Sequence, residues 1–155
     1  MLDWLRDSLR IVHALAGAAW FGSMFYSLMV LQPGVRRFFD TQGEREAFVA
    51  TVSHGGRQKI LLAIFLVAAT GLLLCSIKGV GKSSGLWLGL IITKALLTLG
   101  ALGLFAYGSW VLWPARILAS SADMPGFQRR FRLLGMTILL LVAVAFAAGI
   151  VANRV

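Results

Sequence analysis

The sequence is short of acid and cysteine, and each shortage excludes something. Six aspartates and glutamates stand against fifteen lysines and arginines, a formal charge of +9. The acids are Asp3, Asp7, Asp40, Glu44, Glu46 and Asp123, and none lies within a long apolar run. No acid–base constellation stands near any serine, which argues against hydrolytic nucleophile chemistry. Cys75 is the only cysteine. That excludes an intramolecular disulfide and a thiolate metal cluster within one chain. Charge of either sign is also scarce. Charged residues make up 14% of the chain and apolar ones 59%, where a soluble domain averages about 25% and 45–50%. With a mean hydropathy of +0.83, the chain cannot cover its apolar surface with polar groups. Water is the wrong solvent for it, and the membrane class follows.

What is present is four long apolar runs, over about 9–31, 60–77, 86–113 and 133–152. A hydrocarbon core of about 30 Å needs roughly 20 helical residues to cross it. Helices are the default because each backbone group must be satisfied within its segment, and the alternation of a membrane barrel is absent. The expected fold class is all-α, an integral membrane four-helix bundle forming a single transmembrane domain over 1–155. The first run is read as a membrane helix rather than a cleaved signal. Asp3 and Asp7 sit among the early basic residues, the run exceeds a signal core, and no small-residue cleavage site follows.

Charge placement suggests an orientation. The 32–59 and 114–132 connections carry Arg36, Arg37, Arg45, Arg57, Lys59, Arg116, Arg129, Arg130 and Arg132. The other side carries Arg6, Arg10, Lys78, Lys82 and Arg154. Nine against five puts both longer connections in the cytoplasm of a bacterial inner membrane, with both termini outside. The high isoelectric point does not point to nucleic acid, because basic residues beside membrane helices attract anionic lipid at about 1 kcal/mol each. Trp4 and Trp87 near one boundary, and Tyr107, Trp110 and Trp113 near the other, read as aromatic belts in the lipid bilayer. The stripe Ala14, Ala18 and Gly22, and the glycines Gly100, Gly103 and Gly108, read as helix-packing surfaces.

Two ionisable side chains claim membrane depth. Lys94 lies about eight residues from the start of the third run, roughly 12 Å deep. A lysine at a helix centre costs about 2.5–3.5 kcal/mol on insertion scales. Snorkelling toward the interface would relieve this. The alternative is a buried cation that meets an anionic ligand group such as a propionate, or one that exchanges protons, which would make Lys94 the candidate catalytic residue. His13 lies a few residues inside the first run. It is either a neutral imidazole bonded to a neighbouring helix or a metal ligand. His13, Gly17, Trp20 and Met24 follow the spacing of one helix face, and Gly17 gives room beside His13 for a flat macrocycle. Together these suggest porphyrin binding.

His54, in Ser53-His54-Gly55-Gly56-Arg57, is either a solvated loop residue or a second ligand, with Arg57 and Lys59 pairing anionic groups of a cofactor. Helix rise puts His13 and His54 roughly 25 Å apart, whereas an axial pair needs each nitrogen about 2 Å from iron. A homodimer could instead present two copies of His13 at equal depth, and one histidine with an open sixth site is a third arrangement. With two histidines, a pair of stacked bis-histidine hemes is excluded for one chain.

The segment from His13 to Trp20-Phe21-Gly22-Ser23-Met24-Phe25-Tyr26 resembles the opening of the bacterial copper-resistance D (CopD) superfamily, which includes the HemJ-type protoporphyrinogen oxidases. Trp87 through Lys94 to Ala101 is similar to their segment with an intramembrane lysine, and Arg129-Arg130-Phe131-Arg132 is compatible with their entry to the fourth helix. The resemblance implies a four-helix membrane protein that binds heme b at His13 and uses Lys94 for activity. Its copper members imply copper movement across the inner membrane. Gln32-Pro33-Gly34-Val35-Arg36-Arg37 is displaced from the family's Pro-Arg pair, and Arg132-Leu133-Leu134-Gly135 replaces its Asn-Glu. These departures weigh against protoporphyrinogen oxidation and leave heme binding implied.

Three functions are therefore in contention. The first is a heme b membrane protein in redox chemistry, an electron-transfer protein or oxidoreductase with quinone or oxygen as partner. The second is a copper ion transporter. Soft ligands suit Cu(I), but Met24 and Met29 alone share a run and their spacing of five does not align them on a face. The third is a cofactor-free assembly subunit held by its small-residue faces.

Overall fold

The computed structural model describes residues 2–78, 85–120 and 122–152. Its first helix passes through a proline without breaking. Helix α1, Leu2–Tyr26, runs into a π-helical turn at Ser27–Leu31 and on into α2, Gln32–Phe38. Pro33 sits in the first turn of α2. A proline inside an α-helix removes one hydrogen bond and presses its ring on the carbonyl one turn back. The wider π-turn just before it relieves both demands.

After α2, Thr41 and Glu44 form a capping box. Glu44 N–H donates to Thr41 Oγ1 at 3.3 Å, and Thr41 N–H donates to Glu44 Oε2 at 3.4 Å. The box opens α3, Gln42–Ser53, which the hydropathy reading left within a connection. Arg45 Nε donates to Phe39 O at 2.8 Å and fixes the bend before it. The chain leaves α3 at His54, whose backbone N–H reaches Ala50 O at 3.0 Å. It turns at Gly55, φ +78°, a left-handed conformation that glycine adopts without a steric penalty. Helix α4, Gly56–Lys78, follows.

Beyond residue 84 the same kinds of element recur. Helix α5, Gly85–Tyr107, enters a π-turn at Gly108–Leu112 and continues as α6, Trp113–Ile117, with Pro114 in its first turn. Helix α7 is Met124–Ala152. No strand occurs among the described residues. Four helical stretches are long and apolar enough to cross a membrane: 3–38, 56–77, 85–117 and 124–152. The fold is all-α and of multi-pass membrane type. Each stretch extends past the apolar run that predicted it. Hydropathy falls at the first charges, such as Arg36 and Arg37 or Arg129 and Arg130, but the helical hydrogen-bond ladder continues through them.

The contacts divide the chain into two compact units, Met1–Lys82 and Ser83–Val155. In the first, hairpin one, α1 packs on α4. Its buried residues include Ala16 and Trp20 of α1 and Ile64, Val67 and Thr70 of α4. In the second, hairpin two, α5 packs on α7, burying Trp87, Ala101 and Phe105 with Ile138, Val142 and Ala145.

Two packing expectations change. Ala14, Ala18 and Gly22 are exposed, and a Cβ at Gly22 would meet nothing, so that stripe takes no part in closing hairpin one. In hairpin two, a Cβ at Gly108 would come within 2.6 Å of Leu134 Cδ2, whereas one at Gly103 would meet nothing. Trp87 is buried within hairpin two, while Trp4 is 79% exposed.

Candidate functional site

The inward face of α1 carries His13, Ala16, Gly17, Trp20 and Met24, each buried or half-buried. This is the face that the sequence spacing defined. Opposite His13, α4 presents Thr70 and Gly71. His13 Nδ1 lies 2.9 Å from Thr70 Oγ1. That hydroxyl also lies 2.5 Å from Leu66 O, one turn back on its own helix. A threonine hydroxyl has a single proton. With that proton given to Leu66 O, Thr70 accepts from the imidazole, so Nδ1 carries the ring hydrogen. A neutral ring in this tautomer has its lone pair on Nε2. Gly71 makes the approach possible: a Cβ there would lie 3.3 Å from His13 Cε1 and 3.8 Å from Nδ1.

Trp20 lies two turns along the same face. It is 2% exposed, and its indole N–H is buried with no hydrogen-bond partner among the described residues. Buried donors are rarely left so, because the desolvation is uncompensated.

In hairpin two, Lys94 is half-buried and directed at α7. Its Nζ would lie 3.2 Å, and its Cε 3.6 Å, from a Cβ placed on Gly149. Lys94 is nine residues along α5 from Gly85, about 14 Å by helix rise. Its stem is thus packed on the return helix of its own hairpin.

His54 and Arg57 are exposed. His54 precedes α4 by two residues, whereas His13 is level with Thr70, fourteen residues further on from Gly56, about 21 Å. The structure therefore brings His13 to Trp20, Thr70 and Gly71, and does not bring His13 to His54 or Arg57. No group of three or more His, Cys, Asp or Glu side chains able to hold a metal ion stands together among the described residues.

An open groove of about 290 Å³ lies at the far end of hairpin two, lined by Tyr107, Leu112, Arg130, Leu133, Leu134 and Thr137. It lacks a ligating histidine or cysteine and lies about 20 Å along α5 from Lys94, thirteen residues at 1.5 Å each.

Sequence reading missed Thr70, Gly71 and Gly149. Thr70-Gly71 is a polar–small pair in the middle of the second apolar run, a pattern that could have marked it as facing an ionisable partner. No protein-family model, no curated protein and no solved structure matches this chain.

Proposed function

We propose that the protein binds heme b through His13 and serves one-electron redox chemistry in a bacterial inner membrane. The observation that carries this reading is the bond between His13 and Thr70. A metal-binding imidazole characteristically donates its second ring N–H to an acceptor, which fixes the tautomer and aims the other nitrogen. Thr70 is such an acceptor for Nδ1, and the ring in that tautomer carries its lone pair on Nε2. The donor set fits iron porphyrin in two further ways. Gly71 puts no side chain against the ring, and the buried Trp20 N–H calls for an acceptor such as a propionate.

Heme b, when bound, supplies an iron centre that gains and loses one electron at a potential tuned by its axial ligand. The chain's own part is to hold the imidazole, exclude water with the Ala16, Trp20, Ile64 and Val67 core, and offer Trp20 N–H as a donor. Lys94 offers an ammonium within the second hairpin, suited to a carboxylate or to delivering a proton to a quinone or oxygen partner. One chain offers one imidazole at this level, so a six-coordinate iron needs His13 of a second copy or another donor. The charge count, with the 32–59 and 114–132 connections cytoplasmic, puts both termini outside.

The test is an optical spectrum of detergent-purified protein produced with ample heme. A Soret band that disappears in His13→Ala is expected. A colourless wild-type protein contradicts the reading.

A further inference from the structure

The helical arms of the two hairpins correspond at constant spacings. Adding 81 to a position in α1 or α2 gives its counterpart in α5 or α6. Ala14 becomes Ala95, Leu15 Leu96, Gly22 Gly103 and Tyr26 Tyr107. Val30, Leu31 and Pro33 become Val111, Leu112 and Pro114. The correspondence needs no gap, and it extends to structure. The π-turn at Ser27–Leu31 maps onto that at Gly108–Leu112, and a proline follows each at the same distance. Exposure also agrees: Leu15 and Leu96 are both 65% exposed, Tyr26 and Tyr107 are 56% and 49%, and Trp20 and Ala101 are 2% and 0%.

The return helices correspond at an offset of 78. Ile60-Leu61-Leu62 becomes Ile138-Leu139-Leu140, and Gly71 becomes Gly149. The buried Ile64 and Val67 become the buried Val142 and Ala145.

Under these two offsets His13 becomes Lys94, and the glycine that His13 rests on becomes the glycine that Lys94 rests on. Generic apolar sequence would supply chance leucine matches. It would not place a π-turn, a proline and an ionisable side chain seated on a glycine at matching positions in both halves. Internal repeats are a common construction among membrane proteins, and their functional groups concentrate at corresponding positions of the two halves.

We infer that the chain is a tandem duplication of one helix hairpin, and that Lys94 on Gly149 is the second copy of the ligand-presenting position occupied by His13 on Gly71. The second copy has exchanged an imidazole for an amine and Thr70 for Ala148. Its cradle is therefore a site for the same class of ligand, an iron porphyrin, once an imidazole is restored. For its ligand this inference rests on the reading of His13 as a heme ligand. The duplication itself does not.

Two measurements separate these. The first is heme per chain by pyridine hemochromogen. Lys94→His is expected to bind twice the heme of the wild type, and His13→Ala/Lys94→His to match the wild type while His13→Ala binds none. If Lys94→His binds no more than the wild type, and the double variant none, the equivalence of the two positions is overturned. The second uses nitroxides at Leu15→Cys and Leu96→Cys, each in a Cys75→Ser background, in lipid vesicles. Their depths, from oxygen against nickel-complex accessibility, are expected to agree. A difference greater than one helical turn, about 5.4 Å, overturns the duplication. Should the wild type bind no heme, the heme reading falls and the depth measurement alone decides the duplication.

Discussion

Hairpin one and hairpin two share a construction and differ in what each holds at its centre. In hairpin one a rigid ring is pinned by Thr70 on the return helix. In hairpin two a flexible amine lies over Gly149, with Ala148 where hairpin one has Thr70. The difference shows how one scaffold can carry two chemistries. The apolar contacts and the π-turn with its proline set the helix pair. The polar residue on the first helix, and whether the second helix answers it with an acceptor, sets the use.

Substitutions at matched positions should affect the two hairpins differently. The largest effect on stability is expected at the π-turns. Gly108→Val puts a Cβ within 2.6 Å of Leu134 Cδ2, and overpacking of this kind costs about 1–3 kcal/mol. The counterpart Ser27 already carries a Cβ, so Ser27→Ala should change little. Equal losses in unfolding titrations of the two variants would show that the turns are not packed as described.

Next is Thr70→Val, which keeps the shape and removes the acceptor. Loss of a partner behind a metal-binding histidine weakens affinity by about tenfold or more. Hemin titration should show that fall together with a shifted Soret band, and Ala148→Thr in hairpin two should leave both unchanged. An unaltered Thr70→Val would remove the role given to this bond.

Smaller again is the contrast of Gly71→Ala with Gly149→Ala. The new methyl meets a ring atom of His13 at 3.3 Å in the first and the tip of a lysine at 3.2 Å in the second. A ring held at Nδ1 gives way less easily than a terminal ammonium. The heme spectrum should move in Gly71→Ala and not in Gly149→Ala.

The smallest effect is expected at the exposed Asp7–Arg10 pair, 3.3 Å apart. Exposed pairs of this kind contribute little, so Asp7→Asn should unfold with the wild type.

Much of this was legible in the sequence. Hydropathy located all four spans, because lipid leaves that mark on every residue of a crossing helix. The spacing of His13, Gly17, Trp20 and Met24 defined the inward face of α1, because helical periodicity is local. Thr70 was not legible as the partner of His13, since the two are 57 residues apart and meet only through helix packing. Helix α3 was missed although its capping box, Thr41 and Glu44, stands in the sequence, because hydropathy is silent about a short helix of mixed polarity. The first and third apolar runs end at about 31 and 113, just short of Pro33 and Pro114, while the helices go on through both. The π-turns that carry the helix past them depend on backbone geometry that composition does not report.

The most direct test of the central claim is heme content of the purified protein across wild type, His13→Ala and His54→Ala. His13→Ala should be bare, and His54→Ala should retain the wild-type content and spectrum. Heme retained in His13→Ala, or lost in His54→Ala with His13 in place, would contradict it.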